Sequence, residues 1–91
     1  MRNIQSVNVW KDGTVKTVTK LKVTTVFDNL ENIAGFLYQL YQTVILEEDT
    51  LDLSVIEGTV EMSPLDYISW DRSIIGTYGY VAGKLNLTIL P

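Results

Sequence analysis

The segment from Tyr67 to Lys84 gathers most of the side chains in this sequence that could hold a ligand. It contains three of the five Tyr, one of the two Trp, three of the six Gly, and Arg72 and Lys84, the only cations after residue 22. Flat rings beside a guanidinium and an ammonium can hold a planar or phosphorylated ligand, or form the centre of a protein interface. Tyr67, Trp70, Arg72, Tyr78, Tyr80 and Lys84 are therefore the candidate binding residues. The competing reading is that the rings fill a core and the glycines permit a bend. Within this segment Gly79-Tyr80-Val81-Ala82-Gly83-Lys84 has the outline of a phosphate loop, but its glycines are one residue too close and Leu85 follows the lysine where Ser or Thr is needed.

Other chemistry is largely excluded by residue type. With no Cys there are no disulfides, thiolate metal sites or cysteine nucleophiles, and with no His the commonest general base and zinc ligand is missing. Asp66 and Asp71 could pair for acid–base work, yet nothing in the sequence marks a cleft that would shift a carboxyl pKa, and helix capping accounts for Asp66. Glu47, Glu48, Asp49 and Asp52 are dense enough to suggest calcium, but they lack the alternating ligands, central Gly and closing Glu of an EF-hand loop. No catalytic activity, metal or cofactor is expected.

The chain has 91 residues and a formal net charge of −4, and it is read as one domain spanning residues 1–91. Charge is segregated along it. Residues 1–27 carry Arg2, Lys11, Lys16, Lys20 and Lys22 against Asp12, whereas residues 28–83 carry ten acids against Arg72. The basic stretch could meet phosphate, but overall acidity and the absence of Arg or aromatic residues between its lysines make nucleic acid an unfavoured partner. Glu47, Glu48, Asp49 and Asp52 are the candidate acidic surface for a basic protein partner. The opening Met1-Arg2-Asn3-Ile4-Gln5-Ser6 has no apolar core of a signal peptide, and the longest uncharged stretch, Asn32 to Leu46, is shorter than the roughly 18 to 20 apolar residues of a membrane span. A cytoplasmic protein away from membranes is the expectation.

The elements that must position these residues follow from periodicity. Ile4, Val7 and Val9 lead to Lys11-Asp12-Gly13-Thr14, and Asp-Gly between β-prone runs is the strongest short signal for a hairpin. Its second arm, Thr14 to Phe27, places Val15, Thr17, Thr19, Leu21, Val23, Thr25 and Phe27 on one face and Lys16, Val18, Lys20 and Lys22 on the other. Asp28-Asn29-Leu30-Glu31 resembles a capping box, and the spacing of Leu30, Ile33, Ala34, Leu37, Tyr41, Val44 and Ile45 predicts a long helix over about 29–46. After the acidic turn at Glu47-Glu48-Asp49-Thr50, Leu51, Leu53 and Val55 alternate as a strand. The phase then slips to Ile56, Gly58, Val60 and Met62, so Glu57-Gly58 marks a bulge or, preferably, a second hairpin turn. Ser63-Pro64-Leu65-Asp66 starts a short helix over about 64–72, and the alternation of Leu85, Leu87 and Ile89 predicts a closing strand, with a bulge near Gly83. The expected fold is α+β: a small two-layer domain in which a mostly antiparallel sheet of four to five strands carries the long helix on one face.

That helix would be apolar on two sides, since Phe36, Tyr38 and Leu40 lie off its main stripe. A homo-oligomer, with a dimer favoured, would cover the second side through Phe36, Leu40, Val44 and Gly35, the glycine allowing close approach. The functional expectation is a small non-enzymatic interaction module or inhibitor that binds a macromolecular partner. The alternative is a protein that binds or sequesters a small, nucleotide-like ligand with segment 67–84. In compactness and acidity the chain is similar to phage-encoded accessory and anti-defence proteins, a likeness of type that rests on no motif.

Overall fold

The computed structural model describes all residues from Met1 to Pro91. The fold is α+β. Four strands, β1 (Arg2–Lys11), β2 (Thr14–Asp28), β3 (Ala34–Leu46) and β4 (Asp49–Met62), precede two short helices, α1 (Pro64–Ser69) and α2 (Ile74–Lys84). The strands form one antiparallel sheet in the order β1-β2-β3-β4. The first hairpin turns where Asp-Gly requires it. Asp12 (φ 54°) and Gly13 (φ 78°) both lie in the left-handed region that a tight two-residue hairpin turn demands. Neither helix is long and apolar enough to cross a membrane.

The long helix expected over 29–46 is absent, and residues 34–46 are the inner strand β3. Ala34, Phe36 and Leu40, on one parity, are buried beneath the helices, while Leu37 and Tyr41, on the other parity, are half-buried on the opposite face. Apolar side chains on both parities of this strand, one set beneath the helices and the other half-buried on the far face, give the two-sided apolarity that resembled a helix needing a partner. The capping chemistry at residues 28–31 is present but serves a turn. Asp28 Oδ1 accepts from the Leu30 amide at 2.8 Å, and Asn29 Oδ1 accepts from the amides of Glu31, Asn32 and Ile33 at 2.9–3.0 Å. Leu30, at φ 63°, breaks any helical path.

The phase slip in β4 is a bulge, and no hairpin turn forms at Glu57-Gly58. Leu40 faces Ile56 and Tyr41 faces Ser54, so Val55 has no partner. Ile4 to Ser6 of β1 likewise bulge opposite Thr19, at the same level of the sheet. In β2 the buried residues change parity there, from Leu21 to Val18, both 0% exposed. These irregularities bend the sheet along one row, so that Val18, Leu21, Leu40, Val55 and Ile4 close into one cluster. The bend brings the tip of the first hairpin back toward the far edge strand, where the Lys11 ammonium donates to the Val55 carbonyl.

The C-terminal region also departs from the expected strand. Residues 74–84 are helical, with Ser73 as N-cap accepting from the Gly76 amide. The buried Thr77, Tyr78, Val81 and Ala82 form its inner side at helical spacing. Gly76, Gly79, Gly83 and the β-branched Ile74, Ile75, Thr77 and Val81 all disfavour a helix, so packing on the sheet decides its conformation. The alternation after Gly83 survives only as a tail. Ile89 bridges Ile4, the Gln5 amide donates to the Thr88 carbonyl, and the Leu90 amide donates to the Asn3 carbonyl. The tail thus covers the start of the β1 edge, while the other edge, β4, remains unpaired.

The core has two clusters. One joins Ile4, Val18, Leu21, Leu40 and Val55 to Tyr78 and Ala82 of α2; the other joins Ala34, Phe36 and Met62 to Tyr67 and Val81. Phe36, at 0% exposure, is the largest fully buried side chain. Replacing it with Ala is expected to lower unfolding free energy by about 3–5 kcal/mol. Urea denaturation followed by circular dichroism measures this, and a loss below about 1 kcal/mol would contradict the packing described.

Candidate functional site

The candidate site is built around Trp70, which caps the C-terminus of α1 and starts the turn into α2. Its indole meets Phe36 of β3 edge-on at 5.3 Å and Tyr67 of α1 at 5.8 Å between centroids. Trp70 Nε1 donates to Thr77 Oγ1 at 3.0 Å, and that hydroxyl donates to the Ser73 carbonyl at 2.7 Å. Thr77 is the one buried polar side chain, and these two bonds satisfy it. The indole is therefore fixed by a strand, a helix and a helix cap at once.

Arg72 lies on one side of the indole. Its guanidinium carbon is 5.1 Å from the Tyr67 ring centre and 5.5 Å from that of Trp70, and Nε donates to Asp28 Oδ2 at 3.1 Å. The Tyr67 hydroxyl donates to Asp28 Oδ1 at 2.6 Å and accepts from Arg72 Nη2. The end of β2 is thereby tied to both helices through one carboxylate. The Tyr67 hydroxyl bond, the Leu30 amide and Arg72 together hold the Asp28 carboxyl below its usual range.

Two clefts open beside Trp70. The first, about 280 Å³, lies between α1 and α2 and is lined by Met62, Asp66, Ser69, Trp70, Asp71, Gly76 and Tyr80. Asp66 Oδ2 accepts from the Tyr80 hydroxyl at 2.8 Å and lies 3.8 Å from Lys84 Nζ, which sits 5.5 Å from the Tyr80 ring centre. The Tyr80 hydroxyl is pushed up to about 12 by burial and then by Asp66. Asp71 Oδ1 accepts from the Ser73 amide at 2.9 Å. A Cβ on residue 76 would stand 2.5 Å from that oxygen, so glycine there leaves room for the carboxylate. The second cleft, about 310 Å³, is lined by Val23, Thr25, Asp28, Trp70, Arg72, Ser73, Ile74, Thr77 and Tyr78.

Of the candidate binding residues, Tyr67, Trp70 and Arg72 form one cluster, and Tyr80 and Lys84 form another across the same indole. Tyr78 is 8% exposed and belongs chiefly to the core. The acidic set divides. Glu47 and Glu48 make the β3–β4 turn beside Asp49, but Asp52 accepts from Lys20 at 3.0 Å and from Thr43 at 2.9 Å. The segregated charges of the sequence are therefore partly neutralised across the sheet. Phe36 and Leu40, assigned to an oligomer interface, are in the core of a single chain; Gly35 lies beneath the Phe27 ring, and Val44 is half-buried.

The sequence reading missed Asp28, Phe36 and Thr77 as parts of this region, because each comes from an element whose position depends on tertiary packing. Asp66 and Asp71, set aside because no cleft is marked in the sequence and capping accounts for Asp66, both line the first cleft. Comparison of the chain with protein-family models, curated proteins and solved structures finds no match.

The carboxyls of Asp28, Asp66 and Asp71 are all held below their ordinary range, chiefly by hydrogen bonds from Tyr67, Tyr80 and the Ser73 amide respectively. A carboxyl depressed in the folded state contributes stability above the unfolded value of about 3.9, lost as pH falls through the lower folded value. The urea midpoint is therefore expected to drop below about pH 4. Asp28→Asn should lower stability at neutral pH and flatten that acid limb, whereas an acid limb parallel to that of the parent would contradict the assigned network.

Proposed function

We propose that this protein is a non-enzymatic interaction module, acting as a binder or inhibitor of a macromolecular partner through the surface of α1 and α2. The observation that carries the reading is the exposure of four large aliphatic side chains on these helices: Leu65 at 80%, Ile68 at 81%, Ile74 at 74% and Ile75 at 74%. Single exposed aliphatics are ordinary, but four on seventeen residues of helix, one of them lining the second cleft, are the composition of a contact surface. Trp70 and Tyr80 supply rigid anchors, and the nearby charges of Asp66 and Asp71 in the first cleft, Arg72 in the second and Lys84 beside Tyr80 supply orientation.

Association of identical copies belongs to the same proposal. Phe36 and Leu40 are occupied within the chain, so such association would use exposed apolar residues such as those on the helices. Sequestering of a small ligand is the second reading, supported by the two clefts beside Trp70, each near the lower limit of ordinary ligand pockets.

The test is selection of displayed random peptides on the immobilised protein, with Ile68→Glu and Ile75→Glu against Ile45→Glu, which alters an exposed residue on the distant β3–β4 hairpin. Selected peptides are expected to lose at least about tenfold in affinity for the first two variants and to keep it for the third. Peptides that bind all three variants equally, or no enrichment at all, would overturn the reading. Light scattering on the same proteins, with mass compared against 10.3 kDa, reads whether copies associate through these residues.

A further inference from the structure

We propose that the cleft between α1 and α2 receives a cationic side chain, a lysine or arginine, presented by the partner. This deepens the interaction reading and rests on it. Two rings, Trp70 and Tyr80, and two carboxylates, Asp66 and Asp71, line a cleft of about 280 Å³ whose floor includes Met62. Aromatic faces with carboxylates at the rim attract an ammonium or guanidinium with an apolar stem, and they repel an anion. A neutral ring placed there would strip water from both carboxylates without replacing it.

The chain itself contains a partial version of this contact. Lys84 Nζ lies 3.8 Å from Asp66 and 5.5 Å from the Tyr80 ring centre, with its side chain 53% exposed. Lys84 therefore marks where a cation is favoured, and competes for it weakly. Asp71 has no such neighbour. Its carboxylate accepts from the Ser73 amide, and its sequence neighbour Arg72 is turned to Asp28 and the other side of the indole. Both carboxylates have depressed pKa values and stay ionised at neutral pH. The exposed Ile68 and Ile75, from the same two helices, supply apolar surface for the residues flanking the inserted cation.

The experiment uses a Trp10→Phe background, in which Trp70 is the sole indole and the lost residue is 71% exposed. N-acetyl-arginine amide and N-acetyl-lysine amide are titrated against Trp70 fluorescence and its indole N–H resonance, with N-acetyl-citrulline amide as the uncharged comparison. The charged probes are expected to bind about five times or more tighter than citrulline, and Asp71→Asn, which keeps the acceptor for the Ser73 amide, to weaken arginine about three- to tenfold. Lys84→Gln is expected to tighten arginine about two- to fivefold by removing the competitor. Equal binding of citrulline, no response of Trp70, or no change in either variant would overturn the proposal. Should Asp71→Asn fail to fold, the Lys84→Gln arm decides it, since a merely structural lysine would not raise affinity on removal. Peptides selected through Ile68 and Ile75 without arginine binding at Trp70 would leave the interaction reading standing and this inference overturned. Arginine binding with no selected peptides would mark a site for small free cations and overturn the partner's role.

Discussion

The indole of Trp70 is the contact on which the helical layer depends. α1 has six residues and α2 eleven, and neither length nor composition would make them stable alone. Trp70 lies between them, packs edge-on against Phe36 of the inner strand, and donates to Thr77 inside α2. Asp28 adds a second tether by receiving both Tyr67 and Arg72. The helices are thus placed by these contacts together with the burial of Tyr67, Tyr78, Val81 and Ala82 against the sheet. The same contacts leave clefts on either side of the indole, so residues that secure the layer also line those clefts.

The sheet supplies the opposing surface by bending. Bulges in β1 and β4 and the change of buried parity in β2 fall on one level, and the sheet closes around Val18, Leu21, Leu40 and Val55. This curvature allows so small a chain to form a core without a long helix. The strand order accounts for how the segregated charges meet. β2 is basic and β4 acidic, and β3 is the only strand between them, so Lys20 reaches Asp52 across it and Gln39 of β3 donates to Glu57 of β4. Two segments that looked electrically opposite along the chain become neighbours in space.

Much of the local chemistry was legible. The Asp12-Gly13 turn, the acidic turn after β3, and the Ser63-Pro64 start of α1 each depend on a few adjacent residues, and each is where its chemistry places it. The α+β class and the alternation through Val55 were legible for the same reason. The two large errors had one source, which is that an apolar run does not state what surrounds it. Residues 34–46 carry apolar side chains at both helical and strand spacing, and only pairing with β2 and β4 decides for the strand. Residues 74–84 combine β-branched residues and glycines, yet adopt a helix because Tyr78, Val81 and Ala82 are buried against the sheet.

The candidate site divides in the same way. Tyr67, Trp70, Arg72, Tyr80 and Lys84 were identifiable from residue type and proximity in sequence; the fold sets Tyr67 and Arg72 against the indole, brings Tyr80 into the same cleft, and holds Lys84 against Tyr80. That Trp70 separates two clefts, that Asp28 and Phe36 arrive from distant strands, and that Gly76 leaves space for Asp71 are consequences of packing. The sequence by itself determined the turns, the caps and the chemical repertoire, because these follow from single side chains and their immediate neighbours. Tertiary structure alone decided which apolar runs became strand or helix and which charges met, because burial and pairing depend on contacts between residues far apart in the chain.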